Sequence, residues 1–519
     1  MATISLKSNE GKWIMASTIL ASAMAFIDAT ALNVALPSLQ KSLNASGADL
    51  FWILNAYLLM LAALIILGGS LGDKLGRKKI FITGIIIFII GSAACGLSPN
   101  VNILIVCRSL QGLGGAFMIP GSLSIISSSF ATKERGKAIG TWSAVTTMVT
   151  VGGPILGGAL ADAGLWRYIF FINIPLGIVS ILVLIFKVKE SRDENSDKTL
   201  DVKGAVTSLI GLALLTFGFL RIPAVGFKNP QSYISLAAGF MSIIIFIWIE
   251  KHSKHPMMPL QLFKNKTFSG ANLLSFFLYA GLGAGILFLS LDMVQIQGYK
   301  QFQAGLTLLP FTILMIAVAR FAGSLADKHG PRLLLITGPA VAGLGLLLLS
   351  FVKQTNGPSD YWTSFFPGII VFGLGMSFTV APLTATVMGA LPNHYSGTAS
   401  GINKATTRIA GVFANAILGA LAILFFTGFL NERISNMQLN ESVKKSVMEQ
   451  VQDLGNAKPP SAMNDANKKI ITKAYKDGFI KAYNNIMLIC SSLAFLGALM
   501  SFIFIKNSDV LAEQKNVVG

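Results

Sequence analysis

Charge is scarce in this 519-residue chain. Asp, Glu, Lys and Arg make up only 12% of it, where an average soluble domain carries roughly 25%. That scarcity excludes an ordinary soluble globular fold. Cysteine is scarcer still. Cys95, Cys107 and Cys490 all fall in apolar stretches, without the spacing of a metal site or a disulfide framework. The four histidines, His252, His255, His329 and His394, lie in or beside predicted loops and read as solvated surface. Neither G-x-x-x-x-G-K-[ST] nor H-E-x-x-H occurs, and no sizeable polar domain is appended. An ATP-driven pump and an enzyme are therefore disfavoured, and no catalytic residue, metal or cofactor is assigned. Acidic residues are few, 23 against 41 Lys and Arg. The resulting net charge of +18 does not indicate nucleic acid, because the basic residues sit in short loops between apolar runs.

What the chain has is apolar length. Hydrophobic residues make up 53% of it, the mean hydropathy is +0.66, and runs of about twenty apolar residues, enough to cross a bilayer as helix, recur throughout. The expected fold class is an all-α polytopic membrane protein with about fourteen spans. Their approximate limits are 13–37, 49–71, 79–98, 101–122, 137–161, 167–187, 202–222, 232–250, 268–297, 304–325, 332–352, 362–390, 399–428 and 481–506. One set of loops holds most of the basic residues, including Lys74, Arg77, Lys78, Lys79, Lys133, Arg135, Lys187, Lys189, Lys251, Lys254, Lys328 and Arg332. The positive-inside rule makes that set cytoplasmic, with both termini inside and the protein in the cytoplasmic (inner) membrane. The first apolar run continues past Ala21-Ser22-Ala23 to Leu36, so it reads as a retained helix rather than a cleaved signal. The polar segment 429–480 falls outside. It is open to three readings: a cover over the outer mouth, a contact for a periplasmic adaptor protein, or a loosely helical connector.

The chain repeats itself. Gly69-Ser70-Leu71-Gly72-Asp73-Lys74-Leu75-Gly76-Arg77-Lys78 returns as Gly323-Ser324-Leu325-Ala326-Asp327-Lys328-His329-Gly330-Pro331-Arg332. Gly112-Leu113-Gly114 and Phe117 return as Gly373-Leu374-Gly375 and Phe378, and Gly136, Gly140, Ala144 and Thr146 as Gly397, Gly401, Ala405 and Thr407, at a common offset of 261 residues. The expected organisation is a six-helix bundle over 1–190, two inserted helices with linkers over 191–266, and a second six-helix bundle over 267–519. Such repeats mark secondary transporters, whose substrate site lies near the midplane between the halves.

These residues resemble the major facilitator superfamily, and within it the fourteen-helix drug:proton antiporter family. The likeness covers essentially the whole chain. The loop Gly69–Lys78 is similar to that superfamily's cytoplasmic motif. Leu104 through Ala116, with Arg108, Gln111 and Gly112, resembles its fourth-helix motif. Gly152-Gly153-Pro154-Ile155-Leu156-Gly157-Gly158 resembles the fifth-helix antiporter motif. Phe26 through Pro37 and Trp166 through Pro175 are similar to the fourteen-helix branch. The resemblance implies multidrug efflux, antibiotic resistance and a proton gradient as the only energy source, with the lipid bilayer, protons and small lipophilic molecules as partners.

Physical reasoning gives the motifs parts to play. Gly69, Gly72 and Gly76 permit a tight loop. Asp73 can sit against the N-terminus of a helix from the other half, and Arg77 and Lys78 can hold acidic partners. They are expected to latch the cytoplasmic side, with the second copy and its Asp327 as a stabilising counterpart; ordinary loop charge is the competing reading. Asp28 and Arg108 lie well inside spans, where a charge costs about 2.5–3.5 kcal/mol on insertion scales and so needs a cavity or a partner. An intramembrane carboxylate can carry a proton across, because burial and a nearby cation shift its affinity in opposite directions. Asp28 is assigned the proton or a substrate cation, with Arg108 tuning it; a purely structural pair is the alternative. Gly153, Gly157 and Ala161 form a small-residue stripe. Pro154 bends the helix, and Gly158 adjoins the stripe, so the helix is expected to gate between the halves. The second half has Ile369 and Asn415 where the first has Arg108 and Pro154, so coupling chemistry is expected mainly in the first half.

Asn33, Asn55, Tyr57, Gln111, Trp142 and Met148 are candidate pocket contacts. Asp292, near the outer end of the ninth span, is expected either to attract cationic substrates in an outer cavity or to meet headgroups. Lys404 and Arg408 would oppose a preference for cations if they face the cavity. The functional expectation is proton-coupled export of lipophilic compounds by alternating access. A dedicated exporter of one metabolite, lipid or siderophore and a non-transporting receptor or scaffold are the alternatives.

Overall fold

The computed structural model describes residues 4–507, apart from 131, 193–200, 393–394, 436, 438–439 and 461–462, and apart from a few side chains within helices, Asp327 among them. It holds fourteen helices long and apolar enough to cross a membrane. The first six spans are α1 Asn9–Leu43, α2 Gly47–Leu75, α3 Arg77–Leu97, α4 Val101–Ser129, α5 Thr132–Asp162, and a pair in tandem, α6 Tyr168–Phe171 with α7 Asn173–Lys187. We call these the first half. Two more follow, α8 Val202–Val225 and α9 Pro230–His252. The second half comprises α10 Lys266–Gln295, the tandem α11 Gln301–Thr307 and α12 Leu309–His329, α13 Arg332–Leu349, α14 Tyr361–Ser364, α15 Phe366–Gly389, α16 Ser396–Ser435, α17 Glu441–Glu449 and α18 Asp465–Phe504.

Local chemistry sets the helix ends. Ser8 caps α1, and Ser46 with Asp49 forms a reciprocal capping box on α2. Asn100, Asn265 and Asn464 cap α4, α10 and α18 through their side-chain oxygens. Both described ends of the chain lie on one face of the bundle, here the terminal face; the opposite side is the far face.

The core is not evenly shared between the faces. One large apolar cluster joins Leu32, Leu36, Phe51 and Leu54 of the first half to Phe288, Leu291, Leu418 and Phe426 of the second. Phe51 and Phe288 meet with ring centroids 5.9 Å apart. A second cluster, built around Ile14, Ile65, Phe81, Phe88 and Ile126, belongs to the first half apart from Ala405. The halves are thus fused toward the far face and separate toward the terminal face. α5 shows the same gradient. α5 packs on α11 at its far end, whereas a Cβ placed on Gly140 or Gly152 of α5, or on Gly323 of α12, would meet nothing within 4 Å.

The segment 429–480 is not a loose connector. α16 and α18 are 40 residues each, about 60 Å at 1.5 Å per residue, twice the hydrocarbon thickness. Both therefore run on past the far face. Between them α17 and a 3-10 turn, Gln450–Asn456, fold back over the bundle. Val447, Val451 and Leu454 are buried there in the shared apolar cluster. This geometry fits a cover rather than a loose connector. α8 lies against α2 and α16, with Leu212 among Leu59, Ala62, Ala63 and Val412. α9 covers α8 and exposes Phe240, Met241, Ile244 and Trp248.

Candidate functional site

Five helices of the first half converge on one buried polar knot. Arg108 of α4 is ion-paired through its Nη1 with Asp28 Oδ2 of α1. The same nitrogen donates to Gln111 Oε1 at 2.6 Å, and Arg108 Nε donates to Ile53 O of α2 at 3.3 Å. Gln111 Nε2 donates to Asp28 Oδ1 at 2.9 Å and to Ser92 Oγ of α3 at 3.1 Å. Ser92 Oγ also receives Asn173 Nδ2 of α7 at 2.9 Å and donates to Phe170 O at 2.8 Å. The guanidinium carbon lies 4.4 Å from the centroid of the Tyr57 ring. Asp28, Gln111, Ser92 and Asn173 are fully buried and Arg108 is 1% exposed. Every oxygen of Asp28 is engaged, so the cost of burying its charge is offset by pairing and hydrogen bonds rather than by water.

The expected partners Asp28 and Arg108 are thus in contact, with Gln111 between them and Tyr57 stacked on the pair. Ser92 and Asn173, which sequence reasoning passed over, complete the knot. Small polar residues inside apolar spans were their only signal, and such residues are common. Asn55 is buried nearby on α2, and neither of its amide atoms has a hydrogen-bond partner among the described residues. Trp142 Nε1 donates to Ser22 Oγ of α1 at 3.1 Å, and its ring sits against Phe26. Asn33 is half-buried and Met148 is exposed.

In this conformation Asp292 is enclosed. It faces neither an open cavity nor headgroups, because its side chain is fully buried in α10. Oδ2 accepts from Gln297 Nε2 at 3.1 Å, and Oδ1 is without a partner. Gln297 in turn is tied to Lys353 O and to Thr355, so Asp292 belongs to a closed corner of the second half.

In this conformation the Asp73 loop is held within its own half. Arg77 Nε binds Asp73 Oδ1 at 2.7 Å within the same loop, rather than Asp73 reaching across to the other half. Its outside partner is Glu190, just beyond α7, whose carboxylate accepts from Lys78 N at 2.9 Å and Lys79 N at 3.0 Å. An anion thereby caps the N-terminus of α3. Gly76 has φ +112°, and a Cβ there would lie 2.7 Å from the Glu190 carboxyl carbon, so only glycine fits. In the repeat, Asn507 just beyond α18 does the same work. Its Oδ1 accepts from Arg332 N at 3.0 Å, and its Nδ2 donates to His329 O at 3.4 Å. Because the side chain of Asp327 lies outside the described residues, its expected part in the latch has no structural counterpart here.

On α5, the contacts of the small-residue stripe are divided. Gly153 and Gly157 press on Thr30 and Ala31 of α1, within their own half. The contact across the halves belongs to Gly158, against the backbone of Gln301 and Phe302, and to Pro154 O, against which Gly305 packs. Asp162, which the sequence left unremarked, ends α5 by accepting from Gln301 N at 2.9 Å and Phe302 N at 2.8 Å. Gln301 Nε2 reaches Ser38 Oγ at 2.7 Å. Gln40 of α1 accepts from Gln295 at 2.9 Å and Asn456 at 2.8 Å, and donates to Asp453 O at 3.1 Å. These bonds close the far face.

A two-part bundle of spanning helices, sealed on one face and parted on the other around buried polar groups, is the architecture of a membrane transporter. The sequence profile of the Major Facilitator Superfamily matches residues 18–415, and the chain belongs to that superfamily. It is 30% identical over 430 residues, 82% of its length and 79% of the relative's, to the multidrug resistance protein Stp of Mycobacterium tuberculosis. Over 400 residues, 77% of this chain and 73% of the relative, it is 31% identical to the tetracenomycin C resistance and export protein of Streptomyces glaucescens. Among solved structures, a bacterial homologue of the human lysosomal transporter Spinster, inward-facing and unoccupied, superposes with a TM-score of 0.67 at 17% identity, covering 96% of this chain and 99% of that one.

Proposed function

We propose that the protein exports lipophilic compounds from the cell by alternating access, drawing energy from the proton gradient and needing no cofactor. The observation that carries the reading is the Asp28–Arg108–Gln111 knot, buried beneath a bundle that is closed on one face and parted on the other. A carboxylate locked to a guanidinium is an exchangeable unit: a proton arriving on Asp28 frees Arg108 for other partners, and the helices that meet at the pair respond. The basic loops put the terminal face in the cytoplasm of an inner-membrane protein. The conformation is then inward-facing, and the loop at Asp73 is in its released state. Substrate reaches the parted region flanked by Tyr57, Trp142 and Met148 from the cytoplasm or the inner leaflet. The cap formed by Glu441–Asn456 is where a periplasmic adaptor would dock.

Relatives named for multidrug resistance favour a broad substrate range, whereas those named for tetracenomycin C or methylenomycin A favour a single compound. Efflux of a panel of dyes and antibiotics from a pump-deficient cell, with and without a protonophore, separates them. Broad efflux that collapses with the protonophore supports the proposal; efflux of one compound supports the dedicated exporter; efflux indifferent to the protonophore sinks proton coupling.

A further inference from the structure

Lys404 and Arg408 stand one helical turn apart on α16, roughly 12 and 18 Å along the helix from Ser396. Both are partly accessible, and among the described residues neither has an ion-pair partner. Two cations at this spacing repel each other, and cations within a membrane span are retained where they have work to do. Their surroundings are in the region where the halves part. The Lys404 ammonium lies 6.0 Å from the centroid of the Trp142 ring on α5 of the first half. Trp142 is fixed by its bond to Ser22. Ala405, on the same turn, packs in one apolar cluster with Tyr57 of α2 and with Trp142 and Phe26. Asn403, the residue before Lys404, ties this turn of α16 to α10 through Asn272 Oδ1 at 3.1 Å and Ser275 Oγ at 2.6 Å. The two cations are therefore held on a braced turn rather than on a free surface. The acid of the first-half knot, Asp28, cannot neutralise them, since Arg108 and Gln111 occupy both of its oxygens. The other buried acid of the second half, Asp292, is enclosed near the far face.

We propose that Lys404 and Arg408 form the headgroup site for an anionic amphiphile, so that the transported molecules carry a carboxylate, phosphate or sulfonate on an apolar, commonly aromatic, body. The acidic group spans the two cations, with Arg408 able to grip it through two parallel N–H donors, while the body lies along Trp142, Phe26 and Tyr57. The proposal rests on the export reading for its direction of transport, but not for the site. A free aryl acid and a single-chain acidic lipid offer the same chemistry.

Full-length protein purified in a neutral detergent is titrated with 1-naphthylacetate, with 1-naphthylmethylammonium as a cation of matched shape, and with dodecyl phosphate as a lipid-like anion. The anions are expected to bind at least about tenfold more tightly than the cation. Lys404→Gln with Arg408→Gln is expected to cost the anions about tenfold or more, and Lys404→Arg with Arg408→Lys to restore most of it. Preference for dodecyl phosphate identifies a lipid source and preference for naphthylacetate an aryl acid; both support the site. Equal or tighter binding of the cation, or anion binding untouched by neutralising both residues, overturns it. Proteoliposome flux then separates the two readings. Anion binding without gradient-driven flux leaves the site standing and removes the export reading. Gradient-driven flux of a cationic dye that naphthylacetate does not inhibit removes the site and leaves export standing.

Discussion

Arg108 is the residue whose loss of a partner matters most. Asp28→Asn leaves a buried guanidinium uncompensated, at a cost of about 3–5 kcal/mol. Thermal unfolding in detergent is expected to fall markedly for Asp28→Asn and to recover in Asp28→Asn/Arg108→Gln, where both charges are gone. Proteoliposomes carrying the double variant should take up or release substrate only down its own gradient; intact proton coupling would refute the role given to Asp28. Asp292 gives the opposite expectation. One of its oxygens has no partner and the other needs only a donor from Gln297. Asp292→Asn, which sheds a buried charge, should melt no lower than the parent and export as well, and a loss of transport at unchanged expression would show a functional acid there. The pairing of Asp28 with Arg108 was legible because charges inside apolar spans demand partners. The enclosure of Asp292 was not, since only the fold shows that Gln297 and the 353–355 turn close over it.

At the scale of elements, the two loops of the repeat are each clasped by the residue just past the last span of their own half, Glu190 for one and Asn507 for the other. The charged clasp should be the stronger, since an anion at a helix N-terminus contributes about 0.3–1 kcal/mol when exposed. Glu190→Gln is expected to speed amide exchange at Lys78 and Lys79 severalfold while leaving the Arg332 turn unchanged. The cap carries a pH dependence. Partial burial raises the pKa of Asp453, so its ionisation opposes docking of the cap. The cap's stability is then greatest below the ordinary carboxylate range and declines as pH rises through the elevated value. Hydrogen exchange over 441–456 should therefore quicken with pH beyond its intrinsic dependence, and Asp453→Asn should abolish that excess. The sequence showed the repeated loop through its glycines and charges. It could not show the clasps, because Glu190 and Asn507 lie over a hundred residues from the amides they bind.

For the molecule as a whole, closure of the far face depends on contacts too close for any side chain. Gly158 meets the backbone of Gln301 and Phe302, and Asp162 caps the same turn. Gly158→Leu with Asp162→Ala should hold the far face apart. Spin labels across α5 and α11 would then report longer distances, and the terminal-face distances would shorten in exchange; unchanged distances on both faces would show that this contact is not part of the gate. The fourteen spans and the two-fold repeat were readable from hydropathy and glycine spacing. The conformation was not, because one sequence serves both states and only packing reveals which is present. The hairpin of α8 and α9 has a consequence for how such a molecule can be approached. α8 lies over the line where α2 meets α16, while the line between α5 and α12 has no such cover among the described residues. The bundle is a book bound along that line, whose pages part toward the terminal face at the fore-edge. On the proposed export reading, a molecule already dissolved in the bilayer would meet a wall from one side and a doorway from the other, a front and a back within the plane of the membrane.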